Sequence, residues 1–273
     1  MAARQERRQG GGTGARLLVA LPLIAFALFT VVEGGLVWAL GLLVIGILAL
    51  TELYGMMERV RPANLAGFLA MAGLVLAAHF GEPRHLVIVL VAAFPVTFML
   101  ALLRPRRENI SWAIAVTLFG TLWIGLPLAH AVLLRELHNG MGLMIDVLVG
   151  VFIGDTVAYF VGRAYGRTPL APLISPNKTV AGLVGGVVGS TLAVWFAGLY
   201  QDWLSGTNAL LLGLAIALVA PVGDLFESAI KRDLEVKDTG HLLGAHGGVL
   251  DRLDAALFAV PAAYYVAVAL GYG

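Results

Sequence analysis

Apolar runs of roughly 20 residues recur from end to end of this 273-residue chain. A bilayer core about 30 Å thick is crossed by a helix of about that length. Helices of this kind satisfy their own backbone groups in the absence of water. The runs therefore predict an all-α, polytopic integral membrane protein. Composition agrees, because 59% of residues are hydrophobic and only 13% are charged, about half the charge of a soluble domain. The chain contains no cysteine, which excludes disulfides, thiolate zinc sites and iron–sulfur clusters.

Hydropathy read over a window of about 19 residues predicts nine spans, near 17–32, 35–53, 64–80, 86–103, 111–134, 142–162, 180–200, 207–227 and 252–271. Glu33-Gly34-Gly35 is all that separates the first two, so they form a tight helical hairpin. The first span follows a basic N-terminus with no small-residue cleavage site behind it, and is read as retained rather than as a signal peptide. With the N-terminus placed in the cytoplasm, the inside segments hold Arg4, Arg7, Arg8, Arg16, Arg59, Arg61, Arg104, Arg106 and Arg107. They also hold Arg163, Arg167, Lys178, Lys231, Arg232, Lys237 and Arg252, which leaves only Arg84 and Arg135 on the other side. Positive charge is held back on the cytoplasmic side during insertion, so the pattern predicts an N-in, C-out topology.

Three regions follow from this reading. Residues 1–16, with Gly10-Gly11-Gly12, form a basic tail suited to anionic lipid. Residues 17–134 form a transmembrane scaffold of about five helices, and residues 142–272 a catalytic region of about four. The first four spans carry few polar groups and are expected to face lipid or to form a homodimer surface. No internal repeat is present.

The chemistry is concentrated between Ser228 and Asp254, in SAIKRDLEVKDTGHLLGAHGGVLDRLD. Charges between membrane spans are costly and mark function. Phosphate-binding cations mixed with metal-binding carboxylates point to phosphoryl or nucleotidyl transfer at a membrane surface. Asp224, Glu227, Ser228 and Lys231 fall on one stripe of a helix. Glu227 and Lys231 make a favourable i, i+4 ion pair, which leaves Asp224 in need of a metal ion or a basic partner. Asp251 and Asp254 begin the next helix, where anions are favoured in any case. His246-Gly247-Gly248 stands just before them, and its glycines let the backbone approach a ligand closely. Further upstream, Asp155, Tyr159 and Arg163 share a helix face, and Ser175-Pro176-Asn177-Lys178-Thr179 offers hydroxyls, an amide and a lysine to phosphate oxygens. Gly182, Gly185, Gly186 and Gly189 read as helix packing. His79, His85, His130, His138 and His241 show no metal-ligand spacing.

The block S-A-I-K-R-x4-K-D-x-G-x2-L-G-x-H-G-G-V-L-D-R-L-D resembles the motif of the phosphatidate cytidylyltransferase (CDP-diacylglycerol synthase) family. The upstream pattern Gly154-Asp155, Tyr159, Gly162-Arg163, Ser175-Pro176, Lys178-Thr179 resembles it too. This chain has Gly244-Ala245 where the family more often has Pro-Gly, and Asn177 and Ala181 where a lysine and a glutamate are common. The resemblance implies a Mg2+-dependent transfer of CMP from CTP to phosphatidate at the cytoplasmic face of a prokaryotic plasma membrane. It also implies a second, monovalent cation (K+). Membrane lipids and a second copy of the chain are the other partners expected, and no nucleic acid.

On that basis Asp224 and Asp251 are the expected Mg2+ ligands, with Asp155 and Asp254 in support. Lys231 and His246 complete the expected catalytic set. Ser175, Lys178, Thr179, Ser228, Arg232, Lys237, Asp238, Gly247, Gly248 and Arg252 are the expected substrate contacts. The rival readings are a lipid or polyprenol kinase, a CDP-alcohol phosphotransferase, whose D-G-x2-A-R pattern is absent, and a transporter. A transporter would place its charges near the midplane and often repeats internally.

Overall fold

The computed structural model describes residue 22 and residues 25–103, 109–240, 242 and 247–273. The basic tail, Arg104, Arg106, Arg107, His241 and His246 lie outside the described residues. Residues 25–33 are helical. They are followed by α1 (Gly35–Met56), α2 (Asn64–Phe80) and α3 (Pro83–Leu102), then by α4 (Ile110–Glu136) and α5 (Gly140–Tyr165). The chain continues with α6 (Val180–Gly198), α7 (Gly206–Asp233) and α8 (Asp254–Ala269). Six of these, α1 and α3 to α7, are long and apolar enough to cross a membrane, whereas α2 and α8 are apolar but shorter. The protein is thus a polytopic helical membrane protein, with a helix at the place of each predicted span.

Local chemistry explains the boundaries. Gly34 takes a positive φ of 67° to turn the chain from residues 25–33 into α1. Glu82 and His85 form a capping box at the start of α3, where Pro83 gives up no needed N–H. Thr179 caps α6 by accepting from Gly182 N at 3.1 Å, and Ser205 caps α7 from Asn208 N at 3.2 Å. Inside α4 the residues Thr121–Gly125 widen into a π segment just before Pro127, a break of the kind a helix makes near proline. Helix α7 runs unbroken through Pro221 and extends six residues past the predicted end of its span, so that Ser228, Lys231 and Arg232 are helical. The loop between α5 and α6 adds a feature outside the all-helical expectation. It is an antiparallel hairpin of β1 (Pro169–Ala171) and β2 (Ser175–Thr179), with Pro169 opposite Thr179 and Ala171 opposite Ser175.

Long-range hydrogen bonds sort the segments into two ends. At one end Arg135 Nε donates to Val31 O at 2.7 Å, Gln201 Nε2 to Asp146 Oδ1 at 2.8 Å, and Asn208 Nδ2 to the Tyr272 hydroxyl at 2.9 Å. At the other, Lys231 Nζ donates to Asp251 Oδ1 at 2.7 Å and Val249 N to Glu52 Oε1 at 2.9 Å. Segments predicted to share a side of the bilayer meet at the same end. A core of Leu50, Leu53, Met71, Leu74, Ile124 and Leu134, all fully buried, fixes α1, α2 and α4 together.

The glycine stripe of α6 packs against α5. A Cβ on Gly186 would stand 2.9 Å from Ala158 Cβ, and one on Gly185 would strike Val161. Changing Gly186 to valine is therefore expected to lower stability by about 1–3 kcal/mol through overpacking. The measurement is the thermal unfolding midpoint of purified protein in detergent; an unchanged midpoint would remove the packing role.

Candidate active site

The charged end of the bundle is built on α7. Its last turns carry Asp224, Glu227, Ser228 and Lys231 along one face, as the spacing predicts. Asp224 is answered by Lys178, which the β2 strand delivers from across the groove; the two form an ion pair with side chains about a quarter to a third exposed (26% and 30%). Ser228 Oγ lies 3.5 Å from Asp224 Oδ1, at the limit of a hydrogen bond. One turn further on, Lys231 Nζ bridges Glu227 Oε2 at 2.8 Å and Asp251 Oδ1 at 2.7 Å. Glu227 is only 1% exposed, and its Oε1 is buried with no hydrogen-bond donor. Asp254 opens α8 beside it, close enough to feel the charges of both Glu227 and Asp224. The backbones of α7 and α8 touch at this point, since a Cβ on Gly223 would run into Asp254 O.

Asp251 lies in the short 3₁₀ turn Leu250–Arg252, outside the helices. The predicted ninth span opened at residue 252, but α8 begins at Asp254. The Oδ2 of Asp251 accepts from Gly248 N at 2.7 Å and from Thr239 N and Oγ1, both at 3.0 Å. Burial by itself would raise the Asp251 carboxyl, but Lys231 and these backbone donors hold it below the usual carboxylate range. A lowered pKa means that the anion is the form the fold favours. Its stabilisation is complete above the ordinary value near pH 4 and disappears as pH falls through the lowered one. Gly247 turns the chain here with φ 80°, and a Cβ on it would stand 2.7 Å from Asp251 Oδ2.

Beside Asp224 and Lys178 opens a cavity of about 530 Å³ between α5, α6, α7 and the hairpin. Its polar lining includes Asp155, Tyr159, Arg163, Asn177, Lys178, Thr179 and Asp224, while Gly150, Val151, Leu183 and Ala217 make its remainder apolar. Arg163 Nη1 donates to the Tyr159 hydroxyl at 3.0 Å. The cleft thus combines charged and apolar walls.

The structure thus gathers Asp155, Lys178, Asp224, Glu227, Ser228, Lys231, Asp251 and Asp254 at one end of the bundle. Thr179 caps α6, and Arg232 Nε ties α7 to the hairpin through Ile174 O at 3.1 Å. Ser175 begins β2 and pairs with Ala171. Lys237, Asp238 and Arg252 are exposed. Among the described residues no three His, Asp or Glu side chains stand in ready metal-binding geometry.

Sequence reading missed one residue outright. Glu52, on α1, accepts from Val249 N and Leu250 N, both at 2.9 Å, and stands 3.3 Å from Thr239 Oγ1. Its signal was present, because an isolated carboxylate within an apolar helix needs a partner.

A helical membrane protein with an acid–lysine cluster beside a cleft of charged and apolar walls at one bundle end has the equipment of a membrane enzyme. The family profile described as "Cytidylyltransferase family" matches residues 14–270. The chain is 31% identical to the phosphatidate cytidylyltransferase of Bacillus subtilis (strain 168) over 258 residues, covering 92% of this chain and 96% of that one. It is 32% identical over 254 residues to the protein of that name from Staphylococcus aureus (strain COL), covering 90% and 95%. It is 36% identical over 157 residues to the one from Mycobacterium leprae (strain TN), covering 58% and 50%. The chain belongs to the cytidylyltransferase family.

Proposed function

We propose that this protein transfers CMP from CTP to phosphatidate, giving CDP-diacylglycerol and pyrophosphate. One observation carries the reading: Lys178 and Arg163 stand with Asp155 and Asp224 in the lining of a cleft that is otherwise largely apolar. A phosphate oxygen of phosphatidate attacks the α-phosphorus of CTP. The bond from that phosphorus to the α,β-bridging oxygen breaks, and pyrophosphate leaves with its electrons. The lipid phosphate is itself the nucleophile, so no covalent enzyme intermediate is needed. The barrier is largely that of bringing two polyanions together, and it is lowered by positioning and by cationic side chains. Lys178 supplies that charge in the cleft and Lys231 stands two turns further along α7 from Asp224, and we assign Arg232 and Lys237 as further phosphate contacts.

The residues present suit a divalent cation in their chemistry. Asp155, Asp224, Glu227, Asp251 and Asp254 outnumber Lys178 and Lys231, and Glu227 Oε1 is a buried oxygen with no donor. Hard oxygen donors of this kind take Mg2+. We assign Asp224 and Asp251, with Asp155 and Asp254 in support, to hold it. When bound, it would neutralise the triphosphate and polarise its phosphoryl oxygens. A monovalent second cation and a homodimer belong to the same proposal. So does placement in a plasma membrane with this end of the bundle in the cytosol, which the distribution of arginine and lysine supports.

The test is to incubate purified protein with Mg2+, phosphatidate and CTP labelled at the α-phosphate. Label in lipid together with released pyrophosphate is expected. Label left in CDP, with none in lipid, would make the protein a kinase instead.

A further inference from the structure

We infer that Glu52 is a positioning residue for the reaction, acting from the scaffold half of the chain through the 239–251 connection to set Asp251. The inference rests on the cytidylyltransferase reading. Glu52 is 8% exposed and lies on α1, far in sequence from every residue of the charged block. Its two carboxylate oxygens accept the N–H groups of Val249 and Leu250, which lead into the turn Leu250–Arg252. Those amides belong to residues that are 7% and 0% exposed, so without Glu52 they would be buried donors with no acceptor. A distant helix is thus capping the turn that carries Asp251.

Thr239 completes the linkage. Its hydroxyl stands 3.0 Å from Asp251 Oδ2 and 3.3 Å from Glu52 Oε2, and its own N–H also goes to Asp251. A hydroxyl has one proton. The shorter contact takes it to Asp251, which leaves Glu52 to be satisfied by the two amides. Gly240 and Gly248 both come close to Glu52, since a Cβ on either would collide with its carboxylate. Asp251 therefore stands between two supports, Lys231 on its Oδ1 and the network that Glu52 anchors on its Oδ2 side. Displacing the turn would move Asp251 relative to Asp224 and Lys231 without removing any reacting group.

The test compares wild type with Glu52→Gln and Thr239→Val in the labelled-CTP assay, alongside thermal unfolding and native-state trypsin cleavage after Lys237. Glutamine at this position keeps the volume but turns an amide N–H₂ towards backbone donors. Glu52→Gln is expected to stay folded and to lose on the order of 10- to 100-fold in kcat per folded molecule. Its trypsin cleavage should be roughly tenfold faster as the connection loosens. Thr239→Val should cause a smaller loss, and the double variant should lose less than the product of the two. If Glu52→Gln lowers only the amount of folded protein, with wild-type kcat and cleavage in what remains, Glu52 is merely structural and the inference is wrong. A wild type that never transfers CMP would instead overturn the functional reading, while the trypsin comparison would still judge the linkage.

Discussion

Changing Asp224 to alanine is expected to reduce CMP transfer by on the order of 10²–10³-fold or more while leaving the protein nearly as stable as wild type. The two halves of this result have separate causes. Asp224 borders the cleft, holds Lys178 in place and is one of the two carboxylates assigned to the metal, so its loss removes charge organisation where the phosphates meet. Its ion pair with Lys178 is partly open to solvent, at 30% and 26% exposure. Such pairs contribute about 1 kcal/mol or less to folding. Lys178→Met should behave in the same way, with a large loss of transfer and a small change in unfolding midpoint. Wild-type transfer by Asp224→Ala would remove Asp224 from the mechanism. A collapse of the midpoint would make the pair structural.

Lys231→Met should differ, losing both activity and stability. Lys231 is 16% exposed and stands between Glu227 at 1% and Asp251 at 9%. Its removal leaves two buried carboxylates without their cation, with Asp254 adding a third acid nearby. Breaking a buried pair from one side costs about 3–5 kcal/mol. The companion variant Glu227→Gln/Lys231→Met removes one of the stranded charges, and should recover much of the unfolding midpoint while transfer stays lost. Unfolding followed by intrinsic fluorescence and the labelled-lipid assay separate the two effects. An unaltered midpoint in Lys231→Met would show that Glu227 and Asp251 are satisfied by other means.

These contrasts depend on pairings that the sequence could announce only in part. The i, i+4 relation of Glu227 and Lys231 is a helical periodicity and could be read directly. The partner of Asp224 could only be given as a metal or a base, because Lys178 comes from a hairpin 46 positions away whose path no local pattern specifies. Thr179 adds a use that composition does not show: besides lining the cleft, it is the N-cap of α6, and only the position of the helix start reveals that.

The membrane character, the places of the helices and the charged block that ends up at one end of the bundle were determined by the sequence, because each depends on spacing along one chain. Apolar length sets what can lie in lipid, period sets which side chains share a face, and small residues mark where α5 and α6 meet. Tertiary structure alone decided which lysine answers which acid, that Asp251 is held from the Oδ2 side by backbone and threonine, and that Glu52 of the scaffold half caps the turn beneath it. Those are contacts between residues far apart in sequence. Their existence follows from how the helices stack, and a carboxylate in an apolar run says that it needs partners without saying where they are.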